Sequence, residues 1–386
     1  MTETTNEIRP GFKHIDLRLV TPTYESEITD HIIYLEYLRK LSISGTTPLQ
    51  IFFQIKGIFH MLESIGSANI EGNRTTVVEY VDNKIERNPN PTDAIKEIEN
   101  METCLRFIDD QVGDQPIGRA FISELHKMAV AGLSVEGSKS PGEYRNEPVM
   151  IRGSALVPPP SFSVPGYMDE LFGFIEKADP PKYDLIKISL AHHRFAWIHP
   201  FDNGNGRTVR LLTYAMMVKL GFNVHLARVL NPTAVFCYDR EQYYSALSRA
   251  DSGDDDGYLR WVLYVLSGLE RELRKTDTLA DYDYLKTKIL MPTIGFSLER
   301  NILNEIESKI LCLAIEKQEI ANADIRTVFP GKNIAEISRM IRGLLEKKYL
   351  MPTRENGRIY SINFHGNKLI RGVLFALDKA GFLPSN

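Results

Sequence analysis

The chain reads as mainly α-helical, and three observations carry that reading. Apolar residues recur at helical spacing along most of its length, in proline-free runs such as Leu49 to Ile65 and Val209 to Leu220. Strand-type pieces are short and confined to two places, around Val149-Met150-Ile151 and between Tyr349 and Asn363. The 386 residues, 43% hydrophobic and 25% charged, are ordinary for a globular chain and leave room for two or three cores.

Residues 1–25 form an irregular lead-in around Pro10 and Pro22. Ser26 to Leu41 predicts an amphipathic helix, with Ile28, Ile32, Ile33, Tyr34, Leu35, Tyr37 and Leu38 on its apolar side, and Leu49 to Ile65 predicts a buried one. Ser67-Ala68-Asn69-Ile70-Glu71-Gly72-Asn73 follows at once. Gly72 is a helix stop, which leaves Glu71 facing the negative pole of the helix dipole. An acid there needs a cationic partner; the plain alternative is an exposed glutamate on a capped helix. Residues 81–94 are a turn-rich connector, and helices follow over Ala94 to Gln111 and Ile117 to Leu133, the latter holding His126 as a buried helix histidine. Gly132 to Phe162 is rich in glycine and proline and predicts a surface β-hairpin, an edge that can pair with an extended peptide. Arg145 and Arg152 within it read as solvated charges.

Pro181 to Trp197 is the next helix. His192 and His199 are seven apart on one helical face, but no third ligand stands at metal-type spacing, so His192 and His193 read as core groups or as supports behind the site. Asp239 to Ser248 carries Tyr243-Tyr244, and the acidic loop 251–257 lacks the EF-hand pattern. A helix with Trp261 and a charged, partly helical connector over Arg271 to Leu298 lead to the final module. There, helices over 303–317, 320–328 and 333–348 precede two strand pieces joined by Glu355-Asn356-Gly357, a strong hairpin signal. A last helix runs from Asn367 to Ala380. Three helices and then a hairpin is the order of a winged helix-turn-helix. Arg339, Arg342, Arg354 and Arg358 can meet DNA there; the same module can dock a protein or join two copies as a homodimer.

The chemistry concentrates between two apolar helices, in His199-Pro200-Phe201-Asp202-Asn203-Gly204-Asn205-Gly206-Arg207-Thr208-Val209-Arg210. Gly204 and Gly206 permit positive φ and close approach of the main chain to a ligand. Successive N–H groups at such a turn, opening on a helix N-terminus, form an anion nest. Arg207 and Arg210 share a helix face and can reach one polyphosphate, and His199 stands where it can take a proton. The pattern points to phosphoryl or nucleotidyl transfer with a histidine base. It is not a P-loop, since G-x-x-x-x-G-K-[ST] is absent.

This stretch resembles the signature of the Fic family, H-x-F-x-[DE]-G-N-G-R-x-x-R. The resemblance implies a Fic-type helical core with a small β-hairpin flap, beside the winged module. It implies transfer of AMP from ATP to a Ser, Thr or Tyr hydroxyl of a protein aligned by the flap near residues 142–160. His199 is then the general base, and the Gly204-Asn205-Gly206 backbone holds the diphosphate. Asn205 touches the α-phosphate, Arg207 and Arg210 bind the outer phosphates, and one of Tyr243 and Tyr244 lines the nucleotide pocket. The family's metal-holding acid falls at Asn203, with Asp202 one place early. Asn203 as a weak Mg²⁺ ligand, Asp202 as its substitute and impaired metal-dependent transfer all stay open. Ser67 to Asn73 resembles the family's inhibitory motif, [ST]-x-x-x-E-[GN], by which Glu71 pairs with Arg210 and blocks the γ-phosphate position. In some members that glutamate instead positions a water that removes AMP from a target. A third class, a nucleotide-sensing DNA-binding regulator, rests on the final module.

The expected division is 1–110 with the inhibitory segment 67–73, a catalytic core over 111–275, a connector over 276–302 and the winged module over 303–386. A net charge of −4 gives no general pull toward nucleic acid or membrane, although residues 301–386 hold 13 Lys+Arg against 9 Asp+Glu, a net of +4. Three scattered cysteines, a polar N-terminus and the lack of an apolar run of about 20 residues argue for a cytoplasmic protein with reduced thiols and no membrane span.

Overall fold

The computed structural model describes residues 11–40, 46–86, 88–113, 115–151, 154–222, 234–237, 239–355 and 357–383. Along the chain come α1 (Glu27–Lys40), α2 (Leu49–Glu71), α3 (Val77–Glu86), α4 (Asp93–Gln111), α5 (Arg119–Ala129), α6 (Val164–Glu176), α7 (Asp184–Ile198) and α8 (Asn205–Lys219). They are followed by α9 (Ala234–Cys237), α10 (Arg240–Ala250), α11 (Asp255–Asp277), α12 (Tyr282–Leu285) and α13 (Met291–Glu299). The last part holds α14 (Glu305–Lys317), α15 (Asn322–Val328), α16 (Ile334–Glu346), strands β1 (Leu350–Pro352) and β2 (Tyr360–Ile362), and α17 (Ile370–Lys379). The protein is mainly helical, with one small antiparallel sheet among the described residues, in which Leu350 faces Ile362, and Ile320 adds a bridge to Tyr360.

Two hydrophobic cores organise these elements. One gathers α1 and α4 to α11 around Phe195, Trp197, Tyr214 and Trp261, all within 1% of fully buried. The other gathers α2, α3 and α12 to α17 around Ile58, Leu311, Ile337 and Phe364. Helix α2 belongs to both: Ile51 to Ala68 fill the second core, while Ile70, one residue before the helix ends, enters the first. It runs unbroken through Gly66, where a side chain would crowd Cys237. Its end is a Schellman closure, with Gly72 at φ 107°, Asn73 N–H on the Ala68 carbonyl and Gly72 N–H on that of Asn69.

Two expectations change. Residues 276–302 are packed helix: Leu279, Leu285, Ile289, Leu290 and Ile294 are buried in the second core, so the charged residues between them are only the outer faces of amphipathic turns. The flap at 142–160 forms no strand ladder among its described residues. Pro148, Pro158, Pro159 and Pro160 have no N–H to give one, and Arg145 takes up the neighbouring carbonyls instead. Arg152 lies outside the described residues.

Replacing Trp261, which donates its indole N–H to the Ser189 carbonyl at 2.6 Å, by alanine should destabilise the first core by about 3–5 kcal/mol. Denaturant midpoints followed by tryptophan-independent circular dichroism test this; an unshifted midpoint would contradict the packing described.

Candidate active site

The loop between α7 and α8 begins with strain. His199 caps α7 at φ 51°, ψ 61°, a left-handed conformation that a non-glycine residue adopts only when its surroundings impose it. Arg145, 5% exposed, imposes it. Its Nε donates to the His199 carbonyl at 2.7 Å, its Nη2 to the carbonyls of Pro159 at 2.6 Å and Ile198 at 3.3 Å, and its backbone N–H to Pro200 at 2.8 Å. It is therefore a buried clamp rather than the solvated charge expected. Only its burial, invisible in sequence, reveals this.

The rest of the loop is closed by its own side chains. Asn205 Oδ1 accepts the Phe201 N–H at 2.9 Å and its Nδ2 donates to the Phe201 carbonyl at 2.8 Å. Its amide is thus spent inside the loop, and its main chain is what it can offer a ligand. His126 stacks flat on Phe201 at 3.7 Å. Its Nδ1 accepts the Gly142 N–H at 2.8 Å, so Nε2 carries the proton and donates to the Asn203 carbonyl at 3.0 Å. Burial pushes that imidazole down to about 4, keeping it neutral. Gly204 lies at φ 72°, and a side chain there would meet Val130 at 2.7 Å. Gly206 has an ordinary φ but could carry no Cβ without striking the Glu71 carboxylate. The two glycines serve different needs, one conformational and one of clearance.

Helix α8 starts at Asn205, so the N–H groups of its first turn point into the site without intrahelical acceptors. The two arginines then part. Arg210, 1% exposed, donates from Nε to Ser67 Oγ at 2.8 Å, and from Nη2 to the Ser67 carbonyl at 2.9 Å and to Glu71 Oε1 at 2.8 Å. Burial alone would raise the Glu71 carboxyl, but the Arg210 guanidinium outweighs it and holds the group below the usual range. Arg207, equally buried, turns to Glu97 at 3.1 Å and to the Glu136 carbonyl at 2.7 Å. Glu97 in turn accepts from Asn73 Nδ2 at 2.9 Å. Sequence spacing put both arginines on one face, and the network of Glu97 draws one of them aside.

These groups line a cleft of about 350 Å³. Around it lie Glu71, His199, Asp202 to Gly206, Arg210, Tyr243 and Tyr244, together with Arg240, which the sequence reading did not single out, and with His193 and Asp251, which it read as a core group and as part of an acidic loop. Arg207, Ser67, Gly72 and Asn73 stand behind this wall. His199 Nδ1 faces the Ala196 carbonyl at 3.3 Å, a pure acceptor, so the proton sits on Nδ1 and Nε2 keeps a free lone pair. Burial pushes its pKa down to about 4.

Tyr243 donates to His192 Nε2 at 2.9 Å, and His192 Nδ1–H donates to Thr213 Oγ1 at 2.7 Å. This chain fixes Tyr243 as a buried wall, against which Tyr244 leans with ring centroids 5.2 Å apart and 37% of its surface open. His193 pairs with Asp251 at 2.9 Å.

The donors for a cation fit poorly. Asn203 uses Nδ2 on the Gly137 carbonyl and Oδ1 on the Gly204 N–H. Asp202 receives Ser138 Oγ and the Asn203 N–H on Oδ1, and the Lys139 N–H on Oδ2. Among the described residues no three acid, histidine or cysteine side chains surround a metal position. None of the described helices is long and apolar enough to cross a membrane.

A family model described as Fic/DOC family matches residues 116–217. A protein adenylyltransferase Fic from Nematostella vectensis is 33% identical over 122 residues, covering 31% of this chain and 26% of the relative. One of the same name from Drosophila grimshawi is 26% identical over 209 residues, covering 53% of this chain and 40% of the relative. The chain thus spans well under half of the length of these relatives. The crystal structure of a Fic family protein from Desulfovibrio desulfuricans G20 shares the fold with TM-score 0.56 at 21% identity, over 92% of this chain and 100% of that one. With the clamped loop, its glycines and its helix N-terminus in the matched segment, the chain carries a Fic/DOC family domain at residues 116–217.

Proposed function

We propose that the protein is a self-inhibited protein adenylyltransferase that moves AMP from ATP to a Ser, Thr or Tyr hydroxyl of a protein docked beside residues 142–160. The observation that carries it is the Glu71 carboxylate, seated on Arg210 and against Gly206 in the mouth of the α8 N-terminus, in the cleft that His199 also lines. Two further facts support it: the relatives named protein adenylyltransferase, and a cleft holding a base, an anion nest and an aromatic wall together.

In this reading His199 Nε2 takes the proton of the target hydroxyl. The oxygen attacks the α-phosphorus, the bond to the β-phosphate oxygen breaks, and pyrophosphate leaves with the electron pair. The first-turn N–H groups of α8 and Arg210 offset charge on the phosphates, while Tyr243 and Tyr244 flank the nucleotide. Arg207 acts behind them, ordering the loop through Glu97. Glu71 inhibits because its carboxylate takes the guanidinium and the space that the outer phosphates need. Mg²⁺ has no prepared ligand set here, so any such ion would come with the nucleotide, with Asp202 or Asn203 as its nearest protein oxygens. Removal of AMP, with Glu71 orienting a water, uses the same groups; AMP released from a pre-adenylylated partner would identify that direction.

A second reading concerns the last module. Arg339, Arg342, Arg354 and Arg358 are exposed, and none is in an ion pair among the described residues. That pattern suits the winged helix-turn-helix reading with a DNA partner. Changing Arg339 and Arg342 to alanine should then lower the salt slope of duplex binding by about 2, roughly 0.9 per lost phosphate contact; salt-independent retention would point to a protein partner.

For the main reading, Glu71→Gly should raise labelling by isotopic ATP about ten- to a hundredfold, as when a competent state rises from a few per cent of the population. His199→Ala in that background should reduce it by about 10²–10⁴. Flat labelling in Glu71→Gly, with nucleotide still bound, would sink the inhibition. Because burial depresses His199 to about 4, the acid limb of the transfer rate should fall well below the ordinary histidine value of 6.5. A limb at 6.5 or above would show that another group is the base.

A further inference from the structure

The C-terminal hairpin does more than end its own module, because it is seated on the helix that carries Glu71. Gln54 is 7% exposed and spends both ends of its amide on β2 and its continuation: Nε2 donates to the Ile362 carbonyl at 3.0 Å, and Oε1 accepts the Phe364 N–H at 2.8 Å. One turn earlier, Gln50 donates to the Thr353 carbonyl at 2.8 Å and accepts from Ser361 Oγ at 3.1 Å. One turn later, Gly57 lets His365 approach so closely that a Cβ would lie 2.7 Å from its Nε2. Positions 50, 54 and 57 follow the i, i+4, i+7 stripe of a single helix face. The hairpin thus holds α2 by hydrogen bonds to the Gln50 and Gln54 side chains, which are directional and fix both rotation and height, and not by apolar contact alone.

From Gln54 to Ser67 is about 20 Å along the axis at ~1.5 Å per residue. The helix is continuous between them and ends where Ser67 and Glu71 grip Arg210. A rigid rod held at one end by a hairpin and at the other by a guanidinium couples the two ends. We propose that the β1–β2 hairpin is the setting clamp of the inhibitory helix, so that displacing the hairpin loosens Glu71 from Arg210 and opens the nucleotide cleft. The second half of this inference rests on the self-inhibition proposed above; the mechanical half does not.

The test uses the full chain with Gln54→Ala, read by hydrogen exchange and by binding of a fluorescent ATP analogue, with Glu71→Gly as reference. Amides in peptides covering residues 67–73 should exchange about tenfold faster, and the analogue should bind more tightly, toward the Glu71→Gly level. If peptides over 350–364 speed up while those over 67–73 stay unchanged, the clamp is overturned. If Gln54→Ala does not fold, Gln50→Ala removes the more exposed of the two contacts and is judged by the same criteria. Should 67–73 loosen in the variant while Glu71→Gly itself fails to improve analogue binding, the coupling stands and the self-inhibition falls.

Discussion

A guanidinium cannot shed its charge, and one that is 1% exposed must find acceptors in the protein. Arg210 is in that position, and its acceptors are the Ser67 hydroxyl, the Ser67 carbonyl and the Glu71 carboxylate, all from the last turn of α2. The Ser67 carbonyl, one turn before the last residue of the helix, accepts the Arg210 guanidinium with the second lone pair of its oxygen. Glu71 in turn sits at the wrong pole of its helix dipole, so the two needs cancel. This exchange joins the segment before the family domain to the signature helix inside it, and it decides where the cleft is closed.

Around that contact the loop is held by redundancy. Arg145, His126 and Asn205 each bind main-chain atoms of the stretch from Ile198 to Asn205, and Phe201 is pinned beneath it. The strain at His199 persists because several independent hydrogen bonds impose it. The neutral form of the His199 ring is secured mainly by burial, with the Arg145 guanidinium acting in the same direction.

How much of this was legible in the sequence depended on range. The glycine loop, the helix N-terminus after it, the stop at Gly72 and the pairing of β1 with β2 are local, and their residue types announced them. The partner demanded by Glu71 was legible as a need, and family resemblance supplied Arg210. What could not be read was where long side chains go. Arg145 looked solvated because its acceptors are carbonyls from three separate stretches, at Glu147, Pro159 and Ile198 to Pro200. Arg207 looked like a ligand group because Glu97 lies far away in sequence. The helices over 276–302 looked like a connector because their apolar positions are interleaved with charge, and the flap looked like a ladder although its prolines lack the donors for one.

The Glu71 side chain remains 26% open to solvent. The loop beside it, by contrast, is fixed by buried groups whose loss would unsettle the fold. On the self-inhibited reading proposed above, restraint would rest on one partly open carboxylate, while Ser67 would still supply two acceptors to Arg210 after its loss. A lineage carrying such a chain would then shed its brake through a single substitution at Glu71, or restore it the same way, leaving the clamped loop in place.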